Sequence, residues 1–183
     1  MHFNASGTRR KHAPPKGMPA GAEGMDAASV ANACADLVDR NVAEGRADKV
    51  AFIEAQRSLT YGQLQQQTCR FARLLTRLGL GREDRIAMAM LDTLEFPIVF
   101  LGAIRAGIVP IPLNTLLTSE QYAYMLADSR AKVLVVSAAL WPVLQPALAK
   151  APDVARIIFA DGAPAGETIA RAPARAAESP PII

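Results

Sequence analysis

The sequence predicts an α/β protein, a mostly parallel sheet with flanking helices. Three observations carry that expectation. Short β-branched or apolar runs, Arg85 to Met90, Val133 to Val136 and Arg156 to Ala160, are too continuously apolar for one-sided strands and suit strands covered on both faces. Between them lie stretches of helical period. Thr60-Tyr61-Gly62-Gln63 and Thr118-Ser119-Glu120-Gln121 each have the residues of a capping box, in which threonine hydroxyl and glutamine side chain satisfy each other's backbone amides. Strands alternating with helices imply right-handed βαβ units.

The elements follow in order. Val30, Leu37, Val38 and Val42 recur at helical spacing, predicting a helix from Val30 to Ala43 that stops at Gly45. Lys49 to Glu54 and Arg57 to Thr60 read as strands around a turn at Ala55-Gln56. The first capping box opens a helix to Leu78. Its apolar stripe is Leu64, Phe71, Leu75 and Leu78, its wet face Arg70, Arg73 and Arg77. After the strand Arg85 to Met90, Asp92 or Thr93 is the expected cap of a helix that is apolar almost all round and therefore buried. Pro97 falls in its first turns. A glycine stop at Gly107 leads to a strand from Ile108 to Leu113. Pro110 and Pro112 donate nothing to a ladder, which places that strand at an edge or makes it irregular. The second capping box opens a helix to Asp128 with Tyr122, Met125 and Leu126 inward. Ser137 is expected to cap a helix through Lys150, with Trp141, Leu144 and Leu148 on one stripe and Pro146 weakening it.

Composition sets bounds on function. With 183 residues and 51% hydrophobic content, one packed domain with tails is expected. Residues 1–28 read as a disordered basic leader, 29–160 as the α/β body and 161–183 as a disordered Ala/Pro-rich end. The net charge of +3 is carried by residues 1–24, where Arg9, Arg10, Lys11 and Lys16 face only Glu23. The rest has 16 basic and 16 acidic residues. A neutral body argues against nucleic acid as a partner. The span from Phe96 to Leu113 is broken by Arg105, glycines and prolines, which argues against a membrane segment. No secretory signal is recognisable and nothing requires an oxidising compartment, so a cytoplasmic location is expected.

The sequence offers few residues for chemistry. Both histidines, His2 and His12, lie in the leader, which leaves the body without histidine triads or histidine metal sites. Cys34 and Cys69 have no metal-type spacing, and Cys69 reads as a small buried hydrophobe. Asp92 and Glu95 suit a helix start better than an acid/base pair. Gly79-Leu80-Gly81 lacks the third glycine of a dinucleotide fingerprint and follows a helix rather than a strand. No GxxxxGK[ST] occurs. Leu101-Gly102-Ala103 and Ala106-Gly107 are read as close packing and a helix stop. No residue is assigned a catalytic, cofactor-binding or metal-ligating role.

Two segments nevertheless carry a resemblance. Leu59-Thr60-Tyr61-Gly62-Gln63-Leu64 resembles the first core motif of adenylate-forming enzymes, with Gln63 in place of the usual glutamate. AIRAGIVPIPLN, Ala103 to Asn114, resembles the second, in the right order and at the expected separation. The run from Met90 to Thr118, with Leu126 to Arg130 and Asp36 to Asn41, is most similar to the benzoate-coenzyme A ligase subgroup. The resemblance covers about residues 30–160. It implies the N-terminal part of the adenylate-forming fold, truncated. It also implies a parent activity in which a carboxylate, ATP and CoA give acyl-CoA, AMP and pyrophosphate, with magnesium. The family's Ser/Thr/Gly-rich phosphate loop, acid pocket and catalytic lysine would follow Ile183. The expectation is therefore a chain inactive alone, binding no cofactor itself, whose partner would be the missing C-terminal portion. Oligomeric state is left open. The alternative is a non-catalytic binding or assembly module. A small Rossmann nucleotide binder is a third reading, disfavoured by the missing glycine fingerprint.

Overall fold

The computed structural model describes residues 32–161 and 169–170. The predicted leader, most of the predicted Ala/Pro-rich end, and the expected helix start at Val30 lie outside them. Helix α1 is a π-turn over Ala35–Asp39 running into an α-helix over Arg40–Ala43. Strands β1 (Val50–Glu54) and β2 (Arg57–Thr60) form an antiparallel hairpin, with Ala55 at φ 46° in its turn. Next come α2 (Tyr61–Arg77), β3 (Arg85–Ala89), α3 (Glu95–Arg105), β4 (Val109–Pro112), α4 (Ser119–Ser129) and β5 (Val133–Val136). Helix α5 (Trp141–Leu144), β6 (Arg156–Phe159) and the two-residue β7 (Ile169–Ala170) complete the order.

The main sheet runs β4-β3-β5-β6-β7. Its first four strands are parallel and β7 is antiparallel to β6. Side chains alternate across a strand, and β3 shows why its sequence is apolar throughout. Ile86, Met88 and Met90 pack on one face with Phe71 and Leu75 of α2 and Val99 and Ala103 of α3. Ala87 and Ala89 pack on the other with Tyr122 and Leu126 of α4 and with Leu144 and Leu148. The result is three layers, helices on both sides of a parallel sheet, as the sequence predicts. A smaller cluster of Cys34, Val38, Leu59, Leu64, Leu94 and Leu101 holds α1 and the hairpin against α2 and α3.

Both capping boxes form. The Gln63 amide donates to Thr60 Oγ1 at 3.3 Å and the Thr60 amide to Gln63 Oε1 at 2.9 Å. The Thr118/Gln121 pair repeats this geometry. Gly102 lies where α2 and α3 meet. A Cβ there would stand 3.0 Å from Phe71 Cδ1 and 3.1 Å from the Thr68 carbonyl, so a larger residue would push these neighbours back by a few tenths of an ångström. Gly107 ends the α3 region at φ 74°, a left-handed conformation that other residues adopt at a cost. Strand β4 is the sheet edge, as its prolines require.

Several expectations are corrected. The Ser137 to Lys150 helix is broken into 3₁₀ turns at Ala138–Leu140 and Gln145–Lys150 around the short α5. Pro142 and Pro146, four residues apart, remove two successive helical donors. Ser137 holds the N-cap position of the first 3₁₀ turn, as expected, but makes no side-chain capping bond. Neither Asp92 nor Thr93 caps α3. Leu94 holds that position without a side-chain cap. Met125 is 37% exposed, while Tyr122, Ala123 and Leu126 form the buried stripe of α4. Helix α3 has no exposed residue, as expected: Val99, Leu101, Gly102 and Ala103 are buried, and Phe96, Pro97 and Phe100 are half-buried. Cys69 is half-buried, and the fully buried cysteine is Cys34.

Candidate functional site

In an open α/β sheet the ligand crevice lies beyond the carboxyl ends of two neighbouring strands whose connections leave in opposite directions. Here that point falls between β3 and β5, because β3 connects outward to β4 and β4 returns past it to β5. The crevice is closed by the chain's own hydrogen bonds. The Leu91 amide donates to Ser137 Oγ at 3.0 Å, and the Ser137 amide donates to the Ala89 carbonyl at 3.0 Å. The Ala138 amide donates to Asp161 Oδ1 at 2.8 Å. The amides that would face a phosphate are thus spent, and a carboxylate stands beside them.

The start of α3 is sealed in the same way. The Leu94 amide donates to Glu54 Oε2 at 2.8 Å, so a carboxylate from the hairpin does the capping expected of Asp92 or Thr93. Arg57 bridges that carboxylate, at 2.6 Å, and both oxygens of Glu95, at 3.1 Å each. The Arg57 hydrogen bond, helped by the Leu94 amide, holds the Glu54 carboxyl below its ordinary range. Burial pushes the Glu95 carboxyl up, but its Arg57 hydrogen bond and other polar contacts outweigh burial and lower it. Two ionised carboxylates at this helix start repel an anionic ligand.

The amides of Leu91, Leu94 and Ala138 at these two places are all paired within the chain. No group of three or more His, Cys, Asp or Glu among the described residues is placed to hold a metal ion. No helix among them is long and apolar enough to cross a membrane.

The best-built polar cluster is a clamp between α1 and α3. Arg105 grips Asp39 with two nitrogens, at 2.8 and 2.7 Å, and its Nε donates to Thr68 Oγ1 at 3.2 Å. Gln65 adds a bond to Asp39 Oδ1 at 2.9 Å. The Arg105 bond lowers the Asp39 carboxyl despite partial burial, and Asp39 in turn raises Arg105. Cys34 lies in the same region with its thiol pushed up by burial, which keeps it neutral and unreactive. Asn32 Nδ2 donates to the Ile104 carbonyl at 2.8 Å and fastens the start of the described chain to the end of α3. Every charge is answered from within, as in a structural clamp. Sequence reasoning missed the pairing because its partners lie 66 residues apart. The available signal was an arginine at the end of a helix whose one other charge, Glu95, lies at its far end; partly buried there, it demands an anion.

An open apolar groove of about 360 Å³ lies between α1, β1 and α3, walled by Leu37, Phe52, Tyr61, Phe96, Pro97 and Phe100 among others. Phe96 and Phe100 stack there at 6.3 Å. No charged side chain lines it.

Residues 39–181 match the family model described as AMP-binding enzyme. The 4-hydroxybenzoate–CoA/benzoate–CoA ligase of Rhodopseudomonas palustris is 53% identical over 134 residues, 73% of this chain and 25% of that protein. The benzoate–CoA ligase of Thauera aromatica is 45% identical over 133 residues, 72% of this chain and 25% of that protein. Among solved structures, a benzoate CoA ligase from Burkholderia xenovorans superposes with a TM-score of 0.63 at 44% identity, over 66% of this chain and 24% of that one. An anthranilate CoA ligase in complex with anthranoyl-AMP gives 0.66 at 28% identity, over 69% and 24%. The chain spans about a quarter of the length of the relatives it matches. The layered sheet, the two capping boxes and the glycine-stopped α3 thus sit in a sequence that matches one family over most of its length, and the chain belongs to the AMP-binding enzymes.

Proposed function

We propose that this chain is the amino-terminal scaffold layer of an ATP-dependent ligase that joins an aromatic carboxylate to coenzyme A, and that alone it has no ligase activity. The observation that carries the reading is the closed crevice. The sheet is built, but the Leu91 and Ala138 amides at its switch point are taken by Ser137 and Asp161. ATP, magnesium and CoA would be held by polypeptide corresponding to the remaining three-quarters of the relatives. A benzoate-type acid is favoured by the ligases most similar to the chain, and a cytoplasmic location suits that chemistry.

The test is complementation. The pure chain, the corresponding carboxyl-terminal portion of the Rhodopseudomonas palustris ligase, and both coexpressed are assayed for pyrophosphate release with ATP, magnesium, CoA and benzoate. Activity is expected only from the pair. Turnover by the chain alone would contradict its inactivity. A folded but inactive pair would contradict the scaffold role. The apolar groove favours a second reading, a non-catalytic assembly module, for which stable binding to an unrelated protein would speak.

A further inference from the structure

The two edges of the main sheet are unlike. At the β6 edge, Ile157 and Ile158 already pair with Ala170 and Ile169. At the other, β4 turns alternate residues toward β3, where the Val109 amide donates to the Asp84 carbonyl at 2.8 Å and the Leu113 amide to the Met88 carbonyl at 2.9 Å. The residues between, which face outward, are where an added strand would look for donors. Ile108 spends its amide on the Ala103 carbonyl at 2.9 Å, and positions 110 and 112 are prolines. From Ile108 to Leu113 no outward N–H is free. An incoming strand would meet carbonyls without donors, and half of its ladder would be missing.

We infer that Pro110 and Pro112 close the β4 edge against strand addition, including by a second copy of this chain, whereas the opposite side of the sheet, at β6, has accepted β7. This holds whether or not the scaffold reading is correct, because it rests only on the register of β4. The exposed flank makes such protection necessary, since Val109 is 42% exposed on the edge strand itself.

The test restores the donors in the full chain with the double variant Pro110→Val, Pro112→Val. Its weight-average sedimentation coefficient is expected to rise with concentration above that of the parent. Amide exchange at positions 110 and 112 should slow as concentration rises. Adding Val109→Lys should reverse both effects, because edge charge repels a second strand without removing the new donors. Should the double variant fail to fold, Pro110→Val and Pro112→Val singly each restore one donor and are read in the same way. A folded variant whose two new amides exchange at a concentration-independent rate would overturn the inference. So would association that Val109→Lys leaves intact.

Discussion

Asp39 and Arg105 decide how α1 is held. Their side chains are 32% and 18% exposed, so the pair is shielded without being sealed from water. Charge-assisted hydrogen bonds contribute about 1.5–3 kcal/mol when buried. Discounted for this exposure, Asp39→Asn should cost about 1–2 kcal/mol in urea unfolding at neutral pH. The pH dependence has a fixed sign. Because the native carboxyl is depressed, its contribution is present above the ordinary aspartate pKa of about 3.9 and fades as pH falls through the lower native value. The parent should therefore lose stability to acid more steeply than Asp39→Asn, and the two should converge near the bottom of that range. A gap that stays constant from pH 7 downward would show that this ion pair is not its source.

At the scale of elements, the close approach of α2 to α3 depends on Gly102. Gly102→Ala must displace Phe71 or the Thr68 carbonyl, and overpacking of this kind costs about 1–3 kcal/mol. A melting temperature equal to the parent's would refute that tight contact. Thr60→Ala removes one half of a capping box and should cost about 1 kcal/mol, measurable by the same melt. What the sequence reveals follows from range. Thr60 with Gln63 and Thr118 with Gln121 are contacts across three residues, and both are readable. The Glu54 carboxylate on the Leu94 amide spans 40 residues and is not. The α5 region misleads for another reason. Its apolar stripe of Leu144 and Leu148 is buried as the period predicts, yet Pro142 and Pro146 together forbid the helix that the stripe suggests. Helical period turns Met125 inward, and the narrower stripe of Tyr122, Ala123 and Leu126 leaves it at the rim.

For the whole molecule, the order β4-β3-β5-β6 places a ligand crevice where such folds keep one, and local hydrogen bonds fill it. The layers are legible in the sequence because β3, β5 and β6 are apolar on both faces. That Ser137 Oγ meets the Leu91 amide depends on strand neighbours 46 residues apart. The same sheet bears on solubility. An exposed edge in a partial layer predicts aggregation, but the prolines of β4 disarm that edge, which shifts the liability to the apolar groove beside α1 and α3. Phe52→Ser, at an exposed position lining that groove, should reduce self-association in dilution light scattering. An unchanged association would place the adhesive surface elsewhere.

The most direct test is a titration of the isotope-labelled chain with magnesium-ATP, followed at the backbone amides of Leu91, Leu94 and Ala138. If these donors are committed internally, their resonances stay in place up to millimolar nucleotide. A saturable shift centred on the three of them would mean that this layer binds a triphosphate unaided, and would contradict its role as a scaffold whose crevice is closed.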